Sequence, residues 1–143
     1  MAPLHEIESF INTELRLGEI PDYSAAHNGL QLSNNGAVTK VAAAVDASLP
    51  VIRKAINEGA DLLVVHHGLF WQGVQRLVGA QYDKFTEAIQ ANLAIYSAHI
   101  PLDVHPTLGN NALLAKAIGM DKAVFYNDWK GIKLGVRQEM ELE

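Results

Sequence analysis

Two adjacent histidines followed by glycine, His66-His67-Gly68, carry the sharpest chemical signal in the chain. Neutral imidazole binds Zn, Fe, Ni, Co and Mn, and carboxylate suits the harder of these ions. The chain has no cysteine. Thiolate sites, disulfides and cysteine nucleophiles are therefore excluded, and any metal centre must be built from nitrogen and oxygen. In an extended chain neighbouring side chains point to opposite faces. The pair is thus expected to serve two ions, or one ion and one hydrogen-bond partner, better than it chelates a single ion. The competing reading is a buried pair satisfied by hydrogen bonds alone.

His99 and Asp103 lie in Ser97-Ala98-His99-Ile100-Pro101-Leu102-Asp103. A carboxylate just past a strand end can turn back and bridge two cations, or fix a histidine tautomer as acceptor. It can also simply cap loop backbone. His99 suits a hydrogen-bonding or core role better than that of a ligand. Asp46 reads as a helix cap before it reads as a catalytic group. His27, next to the Asn28-Gly29 turn, is placed to line a pocket. His5 and His105 read as surface residues, and Phe70-Trp71 as core or rim. Phosphate loops, dinucleotide fingerprints, nucleophile elbows and the His-Glu-x-x-His zinc motif are all missing from the sequence.

These groups need a frame. Residues 4–17 carry apolar side chains mostly three or four apart, which predicts an amphipathic helix. Residues 18–36 read as loop, with an apolar island at Leu30-Gln31-Leu32. Val38–Val45 reads as a strand ending at Asp46. A helix follows, with Ser48 as N-cap, Pro50 in its first turn and Gly59 as its stop. Asp61–Val65 is a second strand, leading into His66-His67, and residues 69–80 are irregular. Tyr82–Ala91 reads as a helix, Leu93–Ala98 as a strand ending at His99, Ile100–Gly109 as a loop and Ala112–Ile118 as a helix. Ala123–Tyr126 and Ile132–Val136 are two further strand candidates.

Apolar strands alternating with helices predict an α/β fold in a single domain, with a mostly parallel sheet covered by helices on both faces. Ligands of such sheets sit beyond the carboxyl ends of the strands. Here those ends carry Asp46, His66-His67 and His99.

Composition narrows the partners. Of 143 residues 49% are hydrophobic and 19% charged, which supports a packed core. The net charge of −5 and the scattered lysines and arginines argue against nucleic acid. No apolar run approaches the ~20 residues of a membrane span. The amino end, Met1 to Glu6, lacks the features of a signal peptide, so a cytoplasmic protein is expected.

The runs Asn28-Gly29-Leu30-Gln31, Val45-Asp46-Ala47-Ser48, His66-His67-Gly68, Tyr96-Ser97-Ala98-His99-Ile100-Pro101-Leu102-Asp103 and Leu108-Gly109-Asn110-Asn111 occur in one order. Together they resemble the amino-terminal half of the GTP cyclohydrolase I type 2 homolog family, also called the Nif-three-like family, over residues 1–120. The resemblance implies a dinuclear site for divalent ions (Zn, Mn, Fe, Co or Ni), a ring-shaped homohexamer and hydrolysis of a small molecule. The family name suggests opening of a GTP ring. His66, His67 and Asp103 fall on the family's metal-ligand positions. His99 falls on its histidine beside the site, carried over as an orienting partner only.

The family completes its site with a His and a Glu about one helical turn apart, near the end of a chain roughly twice this length. Here no histidine follows His105, and the tail Gly135–Glu143 offers glutamates without that pair. The chain therefore reads as the first half of the family fold, with weakened metal binding and exposed apolar surface expected where a second half packs. Two functions follow. One is a metal-dependent hydrolase. The other is a non-catalytic, metal-stabilised binding or regulatory module acting through an oligomeric ring.

Overall fold

A computed structural model describes residues 1–73 and 75–139, so Glu141 and Glu143 of the tail lie outside the described residues. The strands are β1 (Ala2–Pro3), β2 (Gly29–Leu32), β3 (Ala37–Val38), β4 (Val41–Asp46), β5 (Leu62–His67), β6 (Ala94–Ser97), β7 (Val124–Trp129) and β8 (Ile132–Arg137). The helices are α1 (Leu4–Glu14), α2 (Leu49–Asn57), α3 (Ala80–Gln90), α4 (Ile100–Asp103) and α5 (Asn110–Ala117).

The central sheet has the order β2-β6-β5-β4. β4, β5 and β6 run parallel, and β2 joins β6 antiparallel at one edge. The two faces of β5 and β6 explain their near-continuous apolar sequence. Leu63, Val65 and Ile95 point to one side, where Ile52 and Ala55 of α2 and Ala88 of α3 complete a core. Leu62, Ala94 and Tyr96 point to the other, where Leu4 and Leu15 of the α1 region pack. Helices therefore cover both faces, as the alternation of elements implies. Burying Ile52 completely contributes about 1.5–3 kcal/mol.

The sheet departs from expectation at three places. The island at Leu30–Leu32 is strand, because Leu30 pairs with Tyr96 and covers the exposed edge of β6. The strand expected over Val38–Val45 is broken in two. Asp61 Oδ2 accepts hydrogen bonds from Thr39 N at 2.7 Å and Lys40 N at 2.9 Å, which turns the chain between β3 and β4. The loop expected over Ile100–Gly109 begins with the four-residue α4, whose Pro101 sits in the first turn, where a missing N–H costs nothing. Beyond α5, β7 and β8 form an antiparallel hairpin.

Candidate metal centre

The parallel register sets Asp46 opposite His67 at the carboxyl ends of β4 and β5. β6 pairs with β5 up to Val65 opposite Ser97. His66 and Ala98 thus meet one step past the last β5–β6 rung, while the β4–β5 ladder runs on to His67. The His66 and His67 rings turn to the same edge, with centroids 4.7 Å apart. The expectation that the two imidazoles diverge is corrected here. The cause lies in their anchors. His66 Nδ1 donates to the Ala98 carbonyl at 3.0 Å, and His67 Nδ1 donates to Asp46 Oδ1 at 2.7 Å. Asp46 is therefore more than a helix cap, and Ser48, the N-cap of α2, makes no side-chain cap bond.

His99 closes the group. Its ring lies 4.7 Å from that of His66 and 5.5 Å from that of His67. Its Nδ1 donates to Asp22 Oδ1 at 2.9 Å. Carboxylate and carbonyl oxygens only accept, so a neutral ring at each position carries its proton on Nδ1 and its lone pair on Nε2. One ring nitrogen from each of His66, His67 and His99 falls within 4.8 Å of the others. Among the described residues this trio is the group of three or more such donors that comes together this closely. Asp103, at the end of α4, reaches it through His66: its Oδ2 lies 3.7 Å from His66 Nε2. Asn110 steadies that carboxylate by donating to Oδ1 at 2.8 Å.

The electrostatics favour neutral imidazole at His66. Burial pushes His66 below its ordinary value, against the raising influence of Asp103 and the Ala98 carbonyl, and the neighbouring His99 and His67 add to the fall. At Asp22 burial opposes ionisation. Hydrogen bonds from Asn28, His99, Tyr23 N and Ile100 N outweigh it and hold the carboxyl below its usual range. Neutral rings oriented by an acceptor on the far nitrogen are the form in which histidine binds metal. The donor set of imidazole nitrogens plus one carboxylate oxygen fits a divalent transition ion.

Asp22, which the sequence does not flag, and residues of the runs that carry the resemblance hold this arrangement. Asp22 comes from the polar loop and also accepts from Ile100 N at 2.9 Å and Asn28 Nδ2 at 2.8 Å. Asn28 Oδ1 in turn receives His99 N at 2.7 Å. Gln31 Oε1 accepts Leu69 N at 2.6 Å, while its Nε2 donates to the carbonyls of Ala26 and His27. A Cβ on Gly68 would stand 2.3 Å from that same Oε1, which is why glycine follows the pair. Gly109 plays the equivalent part beside Asp103, since a Cβ there would lie 2.3 Å from the His105 carbonyl. The only sequence signal for these contacts is the recurrence of Asn, Gln and Gly around the histidines.

Trp71 stacks on His67 at 5.0 Å and 21°, and its ring sits 4.2 Å from that of His99. It is a cover over the trio and not only rim. Phe70 faces away, against Phe85 and His27. His27 is exposed and stands outside the trio. His105 is not a surface residue, because its side chain is 11% exposed. Its Nδ1 accepts Leu108 N at 3.0 Å and holds the turn before α5.

Fold and donors define a class: an α/β protein with a cysteine-free, imidazole-rich centre at the carboxyl edge of a mostly parallel sheet. A family model described as Duf34/NIF3 (NGG1p interacting factor 3) matches residues 2–143, and the chain belongs to that family. A relative from Deinococcus radiodurans named "GTP cyclohydrolase 1 type 2 homolog" is 44% identical over 131 residues, covering 92% of this chain and 49% of its own. One of the same name from Pyrococcus abyssi is 40% identical, covering 95% and 54%. The crystal structure of TTHA1606 from Thermus thermophilus superposes with a TM-score of 0.79 at 37% identity, covering 92% of this chain and 53% of that one. The chain thus spans about half the length of the curated relatives it matches. No helix among the described residues is long and apolar enough to cross a membrane.

Proposed function

We propose that this chain supplies histidine and carboxylate ligands to a dinuclear divalent-metal centre that hydrolyses a small molecule. The observation that carries the reading is the trio of imidazoles, each fixed through Nδ1 and each with a ring nitrogen within 4.8 Å of the others. In this reading His66, His67 and Asp103 hold the ions, which are drawn from Zn, Mn, Fe, Co or Ni. His99, locked by Asp22, stands beside them as an orienting partner.

The chemistry that such ions supply is Lewis acidity, which eases deprotonation of water and stabilises developing negative charge. The chain's own groups prepare the place. Asp46 keeps the proton of His67 on Nδ1. Burial keeps His66 neutral. Trp71 shields His67 and His99 from bulk water on one side. The reading includes a cytoplasmic protein in which residues 1–143 act as one unit within a homohexameric ring. Neither nucleic acid nor membrane is a partner.

Metal analysis of protein purified without chelator tests the centre. Less than about a tenth of an equivalent of transition metal would sink it, given how strongly such sites hold their ions. Unchanged metal content in His67→Ala would sink it too.

A second reading is a non-catalytic, metal-stabilised binding or regulatory module. It is favoured by the exposure of Leu108, Leu113, Leu114 and Ile118 on and beside α5, an apolar surface suited to association. Screening phosphoesters and nucleotides with added manganese or zinc separates the two. Turnover abolished by Asp103→Asn selects the hydrolase. Native mass reads the ring directly.

A further inference from the structure

A cleft of about 350 Å³ opens beside His67, between the loop that follows β4 and the first turns of α3. Its walls include Asp46, Ser48, Trp71, Gln72, Gln81 and Lys84. The volume lies at the small end of the range for ligand sites.

Two features of the lining concern charge. Lys84 is the only Lys or Arg on these walls. Burial lowers its pKa, and the Asp46 carboxylate lines the same cleft. A half-buried ammonium has lost part of its hydration, so an incoming anion that bonds to it directly is favoured there. The carboxylate of Asp46 is already engaged, accepting from His67 Nδ1 at 2.7 Å. Neutral donors complete the walls. The Ser48 hydroxyl is not used to cap α2, and the amides of Gln72 and Gln81 supply N–H groups.

We propose that this cleft is a subsite for a phosphoryl group, with Lys84 as its cationic anchor and Ser48, Gln72 and Gln81 as neutral donors, so that the substrate of the adjoining centre is a small phosphorylated molecule. A lysine ammonium recognises phosphate as a compact point charge and does not need the paired geometry of a guanidinium. Trp71 forms the wall shared between the cleft and the histidine trio. The phosphoryl group is thereby an anchoring group, held to one side of the reacting atoms. As a statement about substrate the assignment rests on the metal-centre reading, but as a binding site it stands by itself.

The test is an amide-resolved NMR titration of the full chain, stripped of metal with chelator, using inorganic phosphate and then acetate. We expect saturable shifts at Ser48, Gln72 and Gln81, with phosphate binding tighter than acetate. Lys84→Gln should weaken phosphate at least tenfold, and Lys84→Arg should stay close to wild type. Metal uptake by Lys84→Gln, measured separately, should be unchanged. Non-saturable shifts, shifts centred elsewhere, acetate binding as well as phosphate, or wild-type affinity in Lys84→Gln each overturn the subsite. If Lys84→Gln does not fold, the wild-type shift map and Lys84→Arg decide. Phosphate binding by a wild-type protein that takes up no transition metal would leave the subsite standing and remove the metal centre. The reverse pattern would remove the subsite alone.

Discussion

His99 and Asp22 lie 77 positions apart in sequence, yet His99 Nδ1 donates to Asp22 Oδ1 at 2.9 Å in the interior of the site. The same carboxylate receives Ile100 N and Asn28 Nδ2. Asp22 thus fixes both the ring that completes the trio and the first turn of the helix that carries Asp103.

Replacing Asp22 with alanine should therefore cost stability and metal together. Four donors lose their acceptor, three of them part-buried, and each buried unpaired group costs about 1–3 kcal/mol before relaxation. We expect a loss of several kcal/mol in urea unfolding. Loss of a polar partner behind a metal site typically weakens affinity about 10- to 100-fold. Isothermal titration with zinc checks the second part, and unchanged affinity would show that His99 does not face the ion.

The pH dependence has a definite sign. The Asp22 carboxyl is held below its ordinary range in the folded state. Its contribution is full above the ordinary carboxyl value and is lost as pH falls through the depressed one. His66 is also depressed, from an ordinary 6.5. The unfolded chain therefore binds its proton first, and stability falls as pH drops below that value. Metal-free protein should lose stability in two acid steps. His66→Gln should remove the upper one and Asp22→Asn the lower one, as read by thermal unfolding across pH.

Gly68 and Gln31 should be energetically coupled. Gly68→Ala forces the Gln31 amide away from Leu69 N, at a cost of about 1–3 kcal/mol from overpacking and lost hydrogen bonds. Gln31→Ala opens the space that the new methyl needs. In that background Gly68→Ala should cost much less. A double-mutant cycle gives the coupling, and simple additivity would mean that the glycine serves some other purpose.

Trp71 offers an optical report. Its ring lies 4.2 Å from His99 and 5.0 Å from His67, whereas Trp129 sits on Tyr23 in the β7–β8 hairpin region. Addition of Ni or Co should quench emission in wild type and in Trp129→Phe. The response should vanish in Trp71→Phe while metal content stays unchanged.

Much of the site's placement is legible in sequence, because apolar strand runs end where the sheet ends. Asp46, His66-His67 and His99 each close such a run, and a parallel sheet brings those ends to one edge. The direction of the rings is not legible. The strand rule sends His66 and His67 apart, but hydrogen bonds to the Ala98 carbonyl and to Asp46 turn both rings to the same edge. Nor does local pattern reveal Asp22, whose surroundings read as loop and whose partners are remote. β2 is equally hidden: four residues between glycine- and asparagine-rich turns become strand only because β6 leaves an edge to be paired.

The three Nδ1 anchors come from separate stretches of chain: the loop at Asp22, the end of β4 at Asp46, and the residue just after β6 at Ala98. A cation held by His66 and His67, with His99 packed beside them, would act as a rivet through those stretches, linking local openings that are otherwise independent. Loading the centre should then raise the melting temperature of the sheet and its polar loop as one unit, by an amount that grows with the logarithm of free ion concentration.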